Sequence, residues 1–440
     1  MVFSRDLRVT DNPALVAACE SEKVGCLFVL DSRILASSTS SLKRVEFLHE
    51  ALHDLCCSIE ERGARLEIRE GDWLKQVCRY LEETLPQHVH IADDHSSYAK
   101  NRLNLLDNWC ESRGIALHRH PGVTVVEPGT VQPGNGGEYK VFTPYWRAWS
   151  LVPKRTVLPA PKTIGVSSSR ELLRPSTRLH LDPGKTKGGE SHGQERLSRW
   201  LEDGIERYGD ARDFPSIDGT SSLSPYLHFG CVSPLQVVVL ANQVDDSEAF
   251  VRQVVWRDFY AQILDFHPEA SRQDYRSRGD DWVYCYEEFQ AWVNGTTGFP
   301  LVDAGMRQLK SDGLMHNRVR MVTASFLIKD LHQDWRLGAR YFMSQLIDGD
   351  VASNYLNWQW VAGTGTDANP HRILNPATQA KRFDPTALYI RKWIPELAGL
   401  NAMDALNPTS AVREVTGYPQ ALVNHRERTQ IFKHRRSRSQ

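Results

Sequence analysis

Between Thr297 and Phe383 the chain concentrates residue types that a helical core alone would not require: Asn317, Arg318, Arg320, Asp348, Asp350 and Asn354 lie among Met321, Trp358 and Trp360. Buried amides, acids and guanidiniums each need a specific partner, so their mixture with large aromatic surfaces fits a polar cofactor held in an aromatic shell. A second segment, Gly219 to Pro225, places the hydroxyls of Thr220, Ser221, Ser222 and Ser224 around Leu223. Backbone N–H groups and hydroxyls of such a loop can hold a phosphate where the loop runs into a helix. The same pattern serves as an ordinary helix cap, and the residues leave both uses open. Other signatures are missing: GxGxxG followed by a suitable acid, GxxxxGK[ST], GxSxG and HExxH do not occur. His228, His267, His316 and His371 lack metal-ligand spacing and none of the eight cysteines forms a CxxC pair, so no metal site is expected.

The elements that must position these residues divide along the chain. GCLFVL at Gly25 to Leu30, ARLEIRE from Ala64 and HVHIADD from His88 read as strands. Apolar spacing predicts helices over Leu42 to Arg62 and Lys100 to Cys110. Strand and helix in alternation predict an α/β domain with a mainly parallel sheet over residues 1–125. Residues 126–192 are rich in turn formers and read as a linker, although FTPYWRAW at Phe142 to Trp149 is too aromatic for a free one. From 193 to 440 the periodicity is helical, with segments at Glu195 to Tyr208, Glu248 to Leu264, Leu301 to Lys310 and Asn317 to Leu331. Eight of the twelve tryptophans lie from Trp200 onward, which suits either a large helical core or a shared cofactor role.

Taken in order, FSRDLRVTDNPAL at Phe3 to Leu15, GTSSLSPYLHFGCVSP, VVWRDFY and the long block ending at Phe383 resemble the photolyase and cryptochrome family, in particular its class I cyclobutane-dimer photolyases. The resemblance covers essentially the full chain. It implies a Rossmann-like α/β antenna domain joined by a long linker to an all-helical domain that binds FAD. Residue by residue, it implies FAD contacts at Tyr208, Arg212, Thr220, Ser221, Ser222, Leu223, Ser224, Asn317, Arg320, Asp348, Asp350 and Asn354, with Asn354 facing flavin N5. Trp358, Trp335 and Trp282 resemble the inner, middle and outer members of an electron-transfer triad. Trp256, Gln253, Asn317, Met321 and Asn354 resemble the catalytic and lesion-contacting set, and Arg318, Trp256 and Trp360 the DNA-binding one. The activity implied is light-driven splitting of a pyrimidine dimer flipped out of double-stranded DNA.

One departure bears on that expectation. Gln253 stands where the class I pattern commonly has a Glu, and it keeps hydrogen-bonding capacity without negative charge. A Gln here also resembles the branch of (6-4) photolyases and animal-type cryptochromes. Asn317, by contrast, occupies the position where the (6-4) branch places a catalytic His, which favours cyclobutane-dimer repair. Blue-light signalling by a cryptochrome and (6-4) repair stand as the alternatives. Around Tyr98 to Arg102 the chain is similar to members carrying an 8-hydroxy-5-deazaflavin-like antenna, and a solvated basic helix is the other reading.

With 53 Lys and Arg against 54 Asp and Glu, the net charge is −1, so DNA binding would rest on a local basic surface. The basic run from His425 to Gln440 suits a nucleic-acid contact or a soluble tail. Hydrophobic content of 41% argues against extensive disorder, and no apolar run reaches membrane-spanning length. A cytoplasmic monomer with no membrane association is expected.

Overall fold

The computed structural model describes residues 1–165 and 186–438. The middle of the anticipated linker, 166–185, and the last two residues of the basic run lie outside them. By packing, the chain falls into two units. The first comprises Met1–Glu206, Ser221–Pro268 and Ile347–Ala352, and the second Arg207–Thr220, Glu269–Leu346 and Ser353–Gln440.

In the first unit five strands, β1 (Val2–Phe3), β2 (Cys26–Asp31), β3 (Leu66–Gly71), β4 (His88–Ala92) and β5 (Ala116–His120), form one sheet in the order β3-β2-β1-β4-β5. Every pairing is parallel, with Cys26 to Asp31 running alongside Leu66 to Gly71 and His90 opposite His118. Parallel neighbours need long crossovers, which the helices Pro13–Ala18, Leu42–Glu60, Trp73–Thr84 and Ser97–Glu111 provide. Their starts are written locally. Asn12 accepts from the Leu15 N–H at 3.0 Å ahead of Pro13, Asp72 from Lys75 at 3.1 Å and Ser96 from Ala99 at 3.2 Å. Val89 and Ile91 of β4 join Trp73, Val77, Leu103 and Leu106 in one apolar layer.

The aromatic stretch of the expected linker is a helix, Phe142–Leu151, packed on the helix Glu248–Phe266. Trp149 is buried and its indole N–H donates to Asp258 at 3.0 Å, which explains why the segment could not be free. The helix anticipated from Glu195 to Tyr208 is broken. It runs Glu190–Arg199, widens into a π turn at Trp200–Gly204, and is followed by a separate helix, Tyr208–Ala211. The Trp200 ring folds back over Gly204, where a Cβ would sit 2.3 Å from the indole.

The second unit is helical around one core that contains Trp292, Phe326, Trp335, Phe342 and Trp358. The helices Pro300–Asp312, Asn317–Lys329 and Trp335–Gln345 contribute to it, as does most of Val351–Ala362. The soluble-tail reading of the basic run does not describe residues 425–438. They form the helix His425–Arg438, whose Phe432 enters the core and whose Arg436, 1% exposed, bonds Asp280 at 3.0 Å and the Ala362 carbonyl at 2.8 Å. No helix among the described residues is long and apolar enough to cross a membrane.

Candidate functional site

In the first unit the sheet reverses direction of growth between β1 and β4, and the crevice beyond the carboxyl ends of those strands is where this topology places ligands. Here the crevice is lined by Arg5, Asp94, His95, Arg257 and Asp350, with Val123 and Leu264 as apolar walls. Arg5 is its hub. Its Nε donates to the His228 carbonyl at 3.0 Å, one amine to Asp350 at 2.6 Å and the other to Asp94 at 3.4 Å. Burial opposes the charge on Asp94, but Arg5, the Ser96 N–H, His95 and Arg102 together hold that carboxyl below its ordinary range. Burial likewise disfavours charge on His95, yet Asp265 and Glu127 push its ring up to about 9. The rest of the FSRDLRVTDN segment is a latch: Arg8 donates to the carbonyls of Asp11, Gly230 and Gly122, and Asn12 to that of Asp6.

Asp348 and Asp350 belong to this unit, and so do Ser221 to Ser224. Ser222 has φ +53, and the helix Ser224–Phe229 begins without a side-chain cap. The Ser221 hydroxyl accepts from the Leu223 N–H at 3.4 Å, so one hydroxyl of Gly219 to Pro225 is used on the local backbone. The Ser221 carbonyl is fixed by Arg196 Nε at 2.8 Å. Gln253 is exposed and Trp256 half-buried, one helical turn apart on Glu248–Phe266. The Trp256 indole stacks on Phe142 with centroids 3.9 Å apart and planes 8° from parallel, which locks one face of the half-buried ring.

The second unit holds Tyr208, Arg212, Thr220, Asn317, Arg318, Arg320, Met321, Asn354, Trp360 and the three tryptophans Trp282, Trp335 and Trp358. Tyr208 is buried, which pushes its hydroxyl up to about 12, and the Arg212 guanidinium lies 5.7 Å from its ring. Asn317, Arg320 and Met321 share one face at the start of a helix, where the exposed Asn317 amide points to the Met321 sulfur at 3.8 Å. His316 caps that helix by accepting from Arg318 N–H at 3.2 Å. Burial pushes the His316 ring down to about 4. Arg320 donates through Nε to the Met315 carbonyl at 2.7 Å. Arg318, expected at DNA phosphates, donates to Asp213 at 2.7 Å and lies 4.3 Å over the Phe383 ring, so a phosphate there competes with Asp213. Trp360 is covered by the Arg372 guanidinium at 5.1 Å.

Asn354 is buried and donates to the Ala339 carbonyl at 2.9 Å, which fixes its rotamer and leaves a carbonyl oxygen and a second N–H for another partner. Trp358 and Trp335 are core residues and Trp282 is half-buried against the same core. Trp335 donates to Asp274 at 2.8 Å, and a Cβ at Gly338 would meet the Trp358 ring at 2.2 Å, so both indoles are held in single positions. Each unit carries donors of the kind an FAD takes: hydroxyls and backbone N–H groups at Ser221 to Ser224 in the first, and guanidiniums with the anchored Asn354 amide in the second.

Sequence reasoning missed Arg5 and Asp258 as positioning residues. Asp258 is buried and accepts from Val125 N–H at 3.1 Å and Val126 N–H at 2.9 Å besides Trp149. An acid two residues after Trp256, on a helix face otherwise apolar, was the available signal.

Comparison with known proteins identifies the family. The sequence model described as DNA photolyase matches residues 1–162, and the one described as the FAD binding domain of DNA photolyase matches residues 250–438. A deoxyribodipyrimidine photo-lyase of Streptomyces griseus is 45% identical over 406 residues, covering 90% of this chain and 89% of that protein. A bacterial class III photolyase from Agrobacterium tumefaciens superposes with a TM-score of 0.92 at 31% identity, over 100% of this chain and 96% of that one. A Synechocystis cryptochrome gives a TM-score of 0.92 at 26% identity, over 98% of each chain. End-to-end identity to the first of these, on a parallel sheet and a helical unit that both family models cover, makes the chain a member of the DNA photolyase family.

Proposed function

We propose that the chain is a deoxyribodipyrimidine photo-lyase acting on cyclobutane pyrimidine dimers in double-stranded DNA, with an antenna domain over 1–125, a linker over 126–192 and a catalytic domain over 193–440. Reduced FAD, when bound, supplies the light-driven electron that opens the dimer and receives it back. Ser221 to Ser224, Arg212 and Tyr208 would hold its phosphates. Asp348, Asp350, Arg320 and Asn354 would hold its ring system, with the free side of the Asn354 amide toward N5. Trp256 offers an aromatic ring and Met321 a thioether to a flipped, puckered dimer, and Gln253 offers an amide to its bases. Trp358, Trp335 and Trp282 form the route by which the resting flavin is reduced.

One observation carries the choice of lesion. Asn317 cannot titrate, and the adjacent His316 is half-buried, has its ring pushed down to about 4 by burial and spends Nδ1 on the helix cap. A general acid of the kind implied for (6-4) repair is therefore absent from both positions. The test incubates reduced protein with oligonucleotides carrying a cyclobutane dimer or a (6-4) photoproduct, in light and in darkness. Recovery of intact bases from the cyclobutane substrate in light alone is expected. Turnover of the (6-4) substrate instead would overturn the lesion assignment. Likeness to a cryptochrome favours signalling as the second reading, and tight FAD binding with turnover of neither lesion would establish it.

For the antenna, Arg102 supports a bound chromophore over a solvated helix. Its guanidinium is mostly buried, lies 4.5 Å over Trp73 and has a buried Nε with no hydrogen-bond partner. A cation stacked on an aromatic face with a donor to spare suits a planar anion such as an 8-hydroxy-5-deazaflavin. Reconstitution with that compound, followed by energy transfer to FAD, tests it, with Arg102→Leu abolishing the transfer.

A further inference from the structure

We propose that His88, His90, His118 and His120, on the last two strands of the parallel sheet, form a binding site for late first-row divalent cations such as Zn²⁺, Ni²⁺ or Cu²⁺. The four residues stand at alternate positions of β4 and β5, so all share one face of the sheet. The register puts His90 opposite His118, while His88 faces Ala116 and His120 faces Ala92. These small partners let the two outer imidazoles lean inward. His88 Nδ1 comes to 3.1 Å from His118 Nε2, and His90 Nδ1 to 3.0 Å from His120 Nε2. The His90 and His118 rings stack between the pairs at 4.8 Å.

That spacing is what two imidazoles need to grip one cation. With metal–nitrogen bonds of about 2.0–2.1 Å, nitrogens this far apart subtend about 95° at the metal, near the right angle of adjacent positions in square-planar or octahedral sites and a compressed tetrahedral angle. Neutral imidazole is the ligating form. Binding needs no net proton loss, because the N–H that each pair shares moves to the outward ring nitrogen as the inward lone pair ligates. Among the described residues no three ligand-type side chains close a cage, so each bite supplies two protein ligands.

Tag-free, full-length, FAD-loaded protein is titrated with Zn²⁺ by calorimetry at about pH 7.5, and the electron paramagnetic resonance spectrum is recorded with one equivalent of Cu²⁺. Saturable binding and a spectrum split by imidazole nitrogens are expected. The double variant His90→Asn/His118→Asn, which removes one ligand from each bite, should weaken Zn²⁺ binding by about tenfold or more. His120→Asn alone should remove one bite, and His371→Asn, an exposed histidine elsewhere, should change nothing. Flavin absorbance and circular dichroism confirm that each variant is folded. Equal Zn²⁺ binding by wild type and the folded double variant, or no saturable binding, would overturn the proposal.

Discussion

Replacing Arg5 by Met keeps the bulk of the side chain and removes the charge that two carboxylates share at the end of β1. Arg5, Asp94 and Asp350 have side chains only 21%, 7% and 11% exposed, so little water can replace the lost partner. Breaking a buried pair from one side leaves an uncompensated charge and costs about 3–5 kcal/mol, much more than a surface bridge. The sign with pH follows from Asp94. Its carboxyl is held below its unfolded value, so its contribution is complete above about pH 4 and is lost as pH falls through the folded value. The difference between wild type and Arg5→Met should therefore be full at neutral pH and shrink in acid. Urea titrations at several pH values measure it, and a cycle with Asp350→Asn isolates the pair. A coupling of about 2 kcal/mol or more is expected, together with faster loss of FAD, because the segment bearing Asp350 loses its tether. A neutral-pH difference below about 0.5 kcal/mol, or no coupling, would refute the reasoning.

Three further outcomes follow from the geometry. Trp335→Phe should slow light-driven reduction of the resting flavin by an order of magnitude or more while leaving repair by chemically reduced enzyme intact; unchanged photoreduction would remove Trp335 from the route. Both oxygens of Asp258 face donors, so Asp258→Asn turns an amide N–H against another N–H and should cost about 1–3 kcal/mol in denaturant, with the Phe142–Leu151 helix loosening first in hydrogen exchange. Because Gln253 is exposed and lacks the charge of the usual Glu, Gln253→Glu should maintain or raise the quantum yield of dimer repair, and its complete loss would assign Gln253 a role of its own.

Local pattern made much of this architecture readable. GCLFVL and HVHIA are short apolar or alternating runs bounded by turn formers, and both are strands within a residue or two of the reading. The shortest strand, Val2–Phe3, carries no periodicity to read, yet it is the centre of the sheet. The break at Trp200 escaped because a π turn keeps the apolar spacing of a helix and depends on where one indole finds room, over Gly204. Buried Arg436 escaped for a related reason. Composition counts it with a solvated basic run, and only its partner Asp280, 156 positions away, turns that charge inward.

The site divides along the same line. Asn317, Met321, Asn354 and the tryptophans stood out as candidates because their chemistry is unusual for a helix core, while the role of each came only with the family resemblance. Arg5 was legible only as part of a motif, since its role is set by Asp350, 345 positions away. Asp350 makes the point from the other side: nothing in the sequence places it with the sheet, yet the six-residue stretch Ile347–Ala352 packs with the first unit while the chain on either side of it packs with the second. An ion pair this remote has no periodicity and no spacing. It follows from topology, because the reversal between β1 and β4 opens a crevice at the strand ends, and a buried carboxylate in that crevice is stable only beside a cation delivered by the first turn after β1.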